Sequence, residues 1–215
     1  MFMKLYKFKY IRSESLLHSL DMIVNERIYL STCEDLNDPS EGAFRARYGE
    51  FGTADNEVLT YAYALRKLIN STLFTSFASA FENELLWAHY AGGFTGVCFE
   101  YELDEKQLDI RPIQYIGAPE ISKKQADLLL AGHVAPQDLN ILLTKSHAWV
   151  YENEYRLFST SGSANPYLYA KPSRIIFGFR NQKYDDVFHA IAKKFDITIS
   201  YLNPLKENYE YFDVS

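Results

Sequence analysis

Strand-like and helix-like stretches follow one another along this chain without a regular strand–helix alternation. That irregular order is the strongest constraint on its architecture. It argues for an α+β fold with a mixed, mainly antiparallel sheet and flanking helices, and against a doubly wound parallel sheet. The opening "KLYKFKY" alternates strictly, with Tyr6, Phe8 and Tyr10 on an apolar side and Leu5, Lys7 and Lys9 on the other, which predicts a strand. Ser13 before "ESLLHSLDM" predicts an N-capped helix with Leu16, Leu17 and Leu20 on its inner stripe. "RIYLST" predicts a second, short strand, and "CEDLNDPSEG" a turn around Asn37, Asp38, Pro39 and Gly42.

Further along, "DNEVLTYAYALRKLIN" reads as a helix with Leu59, Tyr63 and Leu65 or Arg66 at roughly helical spacing. "TLFTSFAS" is a strand, and "ENELLWAHYAGG" a helix ended by Gly92 or Gly93, since glycine takes the left-handed conformation at little cost. "TGVCFEYE" and "IRPIQYI" are strands, the second broken by Pro112. A helical insertion around 122–146 is divided at Gly132 and Pro136. "YENEYRLF", "SRIIFGF", "ITISYL" and "YEYF" are strands, and "NQKYDDVFHAIAKKF" is an amphipathic helix begun by Asn181. At 215 residues the chain suffices for a single domain over 1–215, with 122–146 as a helical subdomain.

Composition narrows the partners. The net charge of −6 and a pI near 5.4 give no basic footprint and argue against nucleic acid. Cys33 and Cys98 stand far apart without metal-like spacing, so a reduced, cytoplasmic protein is expected. No apolar run is long enough for a membrane span. The five histidines show neither H-x-H nor H-E-x-x-H spacing, so no metal site is expected.

The densest chemistry lies in "WVYENEYRLF". On a strand, side chains two apart share a face, which would bring Glu152, Glu154 and Arg156 together. Two adjacent carboxylates repel unless a cation compensates, and Arg156 is placed to be that cation. Two readings follow: a structural ion ladder, or a catalytic or ligand-gripping carboxylate. In "LLWAHYAGGFTGVCFE", Trp87 and Tyr90 share a helix side while His89 points elsewhere. The G-G-x-x-G spacing does not fit a dinucleotide fingerprint, so these glycines serve turning and close packing. His89 joins the two glutamates as a candidate catalytic residue, and Trp87, Asp38 in the turn, Glu100 in the strand after the glycines and Lys145 before the acidic strand are the other candidate cleft walls.

"LYKF", "LNDPSEG", "LLWAHYAGGFTGVCFEYE", "KSHAWVYENEYRLF" and "IIFGF", in that order, resemble a bacterial domain-of-unknown-function family, number 2971 (DUF2971). Leu36 and Leu86 stand where that family's pattern has Phe and Met. A looser resemblance is to ADP-ribosyltransferases, carried by "LYKF", "SLLHSLDM", "RIYLST" and "YENEY". That resemblance implies NAD as cofactor, with Glu154 or Glu152 holding a ribose hydroxyl and stabilising an oxocarbenium ion. It implies Tyr29 stacked on nicotinamide and Ser31 bonded to the ribose, with Lys7 where His or Arg is usual. The expectations are therefore a transferase-like enzyme on a nucleotide, used as a toxin or phage-defence effector, or a non-catalytic ligand- or protein-binding module. A metal-dependent nuclease using Asp38, His89 and Glu100 is the third.

Overall fold

The computed structural model describes residues 1–36, 38, 41–47, 50–51, 55–134, 136–159, 165–180, 183–203 and 211–214. The chain forms β1 (Phe2–Lys9), α1 (Ser13–Val24), β2 (Arg27–Tyr29), β3 (Arg45–Ala46), α2 (Asp55–Ser71), β4 (Phe74–Ala78), α3 (Glu84–Tyr90) and β5 (Val97–Asp104). There follow β6 (Asp109–Pro112), β7 (Glu120–Ile121), α4 (Lys123–Leu130), β8 (Glu154–Phe158), β9 (Tyr167–Tyr169), β10 (Arg174–Phe177), α5 (Asp185–Phe195), β11 (Thr198–Leu202) and β12 (Tyr211–Val214). Short 3-10 helices cover Cys33–Asp35, Pro136–Leu143 and His147–Glu152. This is the α+β architecture, with a mixed, mostly antiparallel main sheet, that the irregular pattern predicts. Two compact units emerge: Met1–Leu30, Thr75–Ile110 and Tyr151–Ser215 make the first, and Ser31–Phe74 with Arg111–Val150 the second.

The first unit is built on the main sheet, ordered β12-β11-β10-β5-β1-β4-β8-β6. β1 sits near its middle and pairs antiparallel with β5 over its whole length, Lys7 opposite Phe99 and Lys9 opposite Val97. β10 joins β5 antiparallel and β11 parallel, so Phe177 and Tyr201 lie in the same row as Lys9 and Val97. Both faces are covered. On one, Tyr6, Ala78, Cys98, Ile176 and Leu202 pack with Leu86 and Trp87 of α3. On the other, Phe188 of α5 meets Phe177 edge-on at 5.7 Å, and α1 packs against α5. The lysine side of β1 is thus largely interior, because Leu5, Phe99 and Phe177 on it are fully buried, while Lys7 and Lys9 keep part of their surface exposed. Gly96 stands just before β5, where only glycine fits, since a Cβ there would stand 2.2 Å from the Lys9 carbonyl oxygen.

In the second unit, α2 packs on α4 and on the 3-10 helix Pro136–Leu143. Tyr61, Leu65 and Ile69 form its buried stripe. β3 and β7 pair in parallel, Arg45 opposite Glu120. The helical insertion consists of α4, a turn at Gly132 and that 3-10 helix, so the break falls where Gly132 takes φ +83°. Each unit holds one buried cysteine outside any disulfide, Cys98 in the first and Cys33 in the second.

Helix phases differ from the sequence reading in two places. In α2, Leu59 and Tyr63 are 64% and 76% exposed, and the buried positions start at Tyr61 and recur every fourth residue. In α1, Ser19, Met22 and Ile23 are buried while Leu17 is exposed. Ser13 is inside the helix and Arg12 takes the cap position, its N–H bonded to Ser15 Oγ at 2.9 Å. Asn37, Pro39 and Asn181 lie outside the described residues.

Candidate functional site

The acidic segment is not one alternating strand. Tyr151 and Glu152 end the 3-10 helix His147–Glu152, Asn153 takes a left-handed φ of +42°, and β8 starts only at Glu154. Asparagine is one of the few side chains that tolerates this conformation. The common face predicted for Glu152, Glu154 and Arg156 therefore reduces to Glu154 and Arg156. These two are joined by an ion pair, Arg156 Nε to Glu154 Oε1 at 2.8 Å. Arg156 has no exposed surface and Glu154 has 4%. Glu152 faces α3 instead, where the Tyr90 hydroxyl donates to its Oε1. Burial first, and then this bond and the Glu152 charge, raise the Tyr90 hydroxyl far above its ordinary value. The Tyr90 hydroxyl therefore keeps its proton and donates it to Glu152.

The remaining expected residues are spread over both units. Trp87 is core: its Nε1 donates to the Phe81 carbonyl at 2.6 Å and its ring stacks on Phe94. His89, two positions on in α3, is exposed, its ring 6.0 Å from that of Tyr151. Glu100 is buried on the Trp87 face, accepting from Tyr6 at 3.2 Å, Ser173 at 3.3 Å and Lys4 at 3.4 Å. Tyr29 lies on β2 and meets Tyr167 edge-on. Ser31 belongs to the second unit and is bridged to Phe74. Asp38 and Lys145 are also in that unit; Lys145 pairs with Glu41 at 3.4 Å and lies over Trp149. Asp38, His89 and Glu100 are not gathered into a ligand set, and among the described residues no group of His, Cys, Asp and Glu is arranged for a metal ion.

What the structure does bring together is a cationic row on β1. Lys7 Nζ donates to Thr75 Oγ1 at 2.6 Å and to the Ser76 carbonyl at 3.0 Å, and lies 5.3 Å from the centroid of Phe77. Lys9, two residues on, projects from the same face. Neither amine forms an ion pair among the described residues. Desolvation, and then the Lys9 charge, push the Lys7 amine well below the ordinary lysine value, with Glu154 acting in the opposite sense. Desolvation also lowers Lys9. Lys9 is absent from the sequence-derived candidates because an alternating Lys-x-Lys strand ordinarily turns its lysines to water. The signal against that was Leu5, which heads the same row.

A second polar chain lies on that face. His189 Nε2 is 2.8 Å from Tyr201 Oη, which donates to Asp185 Oδ2 at 3.2 Å. The tyrosine has one proton and spends it on Asp185, so His189 donates from Nε2. Burial and then the Asp185 charge raise Tyr201 to about 12. No family model matches the chain, and no curated protein or solved structure matches it. Among the described residues no helix is long and apolar enough to cross a membrane.

Proposed function

We propose that the protein is a binding module for a small anionic ligand, with nucleotides as the class to try first, held by Lys7 and Lys9. The pair itself carries this reading. Two like charges sharing a desolvated sheet face cost stability, and an anion between them would relieve both desolvation and repulsion. The buried ion pair of Glu154 with Arg156 and the bond of Glu152 to Tyr90 then serve to lock the fold.

Thermal-shift titration with pyrophosphate, AMP and NAD tests the proposal. A ligand at one hundred times its Kd stabilises the native state by about 2.7 kcal/mol. Wild type should show an upward shift that Lys7→Met and Lys9→Met each reduce. No shift with any phosphate compound would remove the reading.

One observation favours the transferase-like enzyme on NAD, with its toxin or phage-defence role. The Glu154 charge acts on the Lys7 amine, so carboxylate and first-strand cation are in electrostatic reach. That enzyme needs Glu154 to exchange Arg156 for a ribose hydroxyl. Nicotinamide release from NAD by wild type, lost in a folded Glu154→Gln variant, would support it, and absence of release would end it. Membership of the DUF2971 family rests on the quoted motifs and belongs to this proposal. So does a cytoplasmic setting, which fits two buried thiols outside any disulfide.

A further inference from the structure

We propose that Lys7 is a reactive amine that condenses with the carbonyl carbon of a phosphorylated aldehyde, with the Thr75 hydroxyl as its proton partner and Lys9 holding the phosphate. The proposal rests on the anion-binding reading above and adds a covalent step to it.

Position is the first argument. The antiparallel register Tyr6 opposite Ala78, continued along both strands, sets Lys7 opposite Phe77 and Lys9 opposite Thr75. The Thr75 hydroxyl thus stands on the lysine face, 2.6 Å from Lys7 Nζ. It is buried, and no acceptor for its own proton is found among the described residues. The Ser76 carbonyl at 3.0 Å fixes the amine from a second direction. Phe77 lies 5.3 Å from the amine by its ring centroid, and Phe99 is its cross-strand neighbour, so aromatic surface rather than a carboxylate borders the nitrogen. Lys9 adds a like charge on the same face, and Glu154 is the charged group acting against both. A desolvated lysine beside a second cation is a recognised form of activated nitrogen nucleophile. A structural lysine in a sheet interior would be expected to meet a carboxylate at ion-pair distance, and Lys7 meets a hydroxyl and a carbonyl.

The step balances without an oxidant or reductant. The neutral amine's lone pair forms a bond to the carbonyl carbon, and the C=O π pair moves to oxygen. That oxygen takes a proton from Thr75 Oγ1, and the nitrogen returns one to it. The carbinolamine hydroxyl then takes a proton from Thr75 Oγ1 and leaves as water, the nitrogen lone pair forms the C=N bond, and the nitrogen gives its remaining proton back to Thr75, leaving an imine and one water.

The probe is pyridoxal 5′-phosphate, with unphosphorylated pyridoxal beside it, each trapped with borohydride and located by peptide mass mapping. At pH 7.5 the phosphorylated aldehyde should label Lys7 at least about tenfold faster than the exposed lysines, because more of its amine is neutral there. Pyrophosphate should protect the site. Lys7→Arg should abolish the adduct, and Lys9→Met should slow it, because removing the neighbouring charge returns the Lys7 amine toward its protonated form. Labelling spread over exposed lysines such as Lys106 and Lys171, with Lys7 unmodified, overturns the inference. An unchanged rate in Lys9→Met also overturns it. The anion reading is judged separately. A pyrophosphate thermal shift without a Lys7 adduct leaves binding standing and the amine chemistry refuted. Equal labelling of Lys7 by both aldehydes, without a phosphate shift, does the reverse.

Discussion

Arg156 is among the largest fully buried side chains of the protein, and its charge is met inside by Glu154 at 2.8 Å. Removing one member takes the other's closest counter-charge out of a buried site, a change that costs up to about 3–5 kcal/mol, whereas replacing both by apolar groups of similar volume is often neutral. Urea denaturation should therefore rank Arg156→Met as severely destabilised and Arg156→Met with Glu154→Leu as closer to wild type. Equal losses for the two would show that the pair is not the lock proposed for it. Lys9 predicts the opposite sign. Its folded-state value is lowered below the unfolded one, so the native state binds fewer protons there. The stability cost is absent above the unfolded lysine value and grows as pH falls through the window beneath it. Lys9→Met should therefore stabilise by about 1 kcal/mol near neutral pH, the usual scale for relief of a functional compromise. The gain should vanish in melts above about pH 10.5, where an unfolded lysine is itself neutral. A destabilised Lys9→Met protein at pH 7 would contradict the account.

Among the elements, α2 and β8 show where sequence pattern and tertiary packing part. Tyr and Leu recur so often in "YAYALRKL" that more than one helical stripe is apolar, and only packing against α4 selects Tyr61, Leu65 and Ile69. Leu65→Ala should cost about 2–5 kcal/mol as a core truncation. Leu59→Lys should change stability by less than about 0.5 kcal/mol, as exposed positions do. Chemical denaturation of both variants decides the phase of the helix. The side taken by Trp87 and Tyr90 was legible, because their three-residue spacing survives in any helix. The separation of Glu152 from Glu154 was not, since alternation alone carries no sign of the left-handed turn at Asn153. Nor did the pattern reveal the lysine row as interior, because that depends on β1 having neighbours on both edges and layers on both faces. The G-G-x-x-G segment was read as a packing device, and Gly96 gives it a specific meaning. A methyl there would collide with the Lys9 carbonyl, so Gly96→Ala should lose about 3 kcal/mol, the upper range of overpacking costs.

For the whole molecule, the irregular succession of elements was enough to give the α+β class and the mainly antiparallel sheet. It did not give the division of the chain into two units, each drawing on separated segments, because long-range contacts leave no local mark in composition. The charge of −6 adds a prediction at this scale. The field of the whole chain repels an anion, so any attraction must come from Lys7 and Lys9 at short range, where salt screens least. Phosphate binding followed by calorimetry should weaken only gently between low and high ionic strength, and a steep loss would place the contact on exposed cations instead. The two sulfurs offer a further use. Cys98 is sealed in the sheet of the first unit, its thiol pushed well up by burial, and Cys33 is sealed in the second. Neither can react with a disulfide reagent until its own surroundings open. Coupled to such a reagent, the unaltered protein carries two clocks: matched rates of colour release would mean that the molecule breathes as one, and unmatched rates would time each half separately.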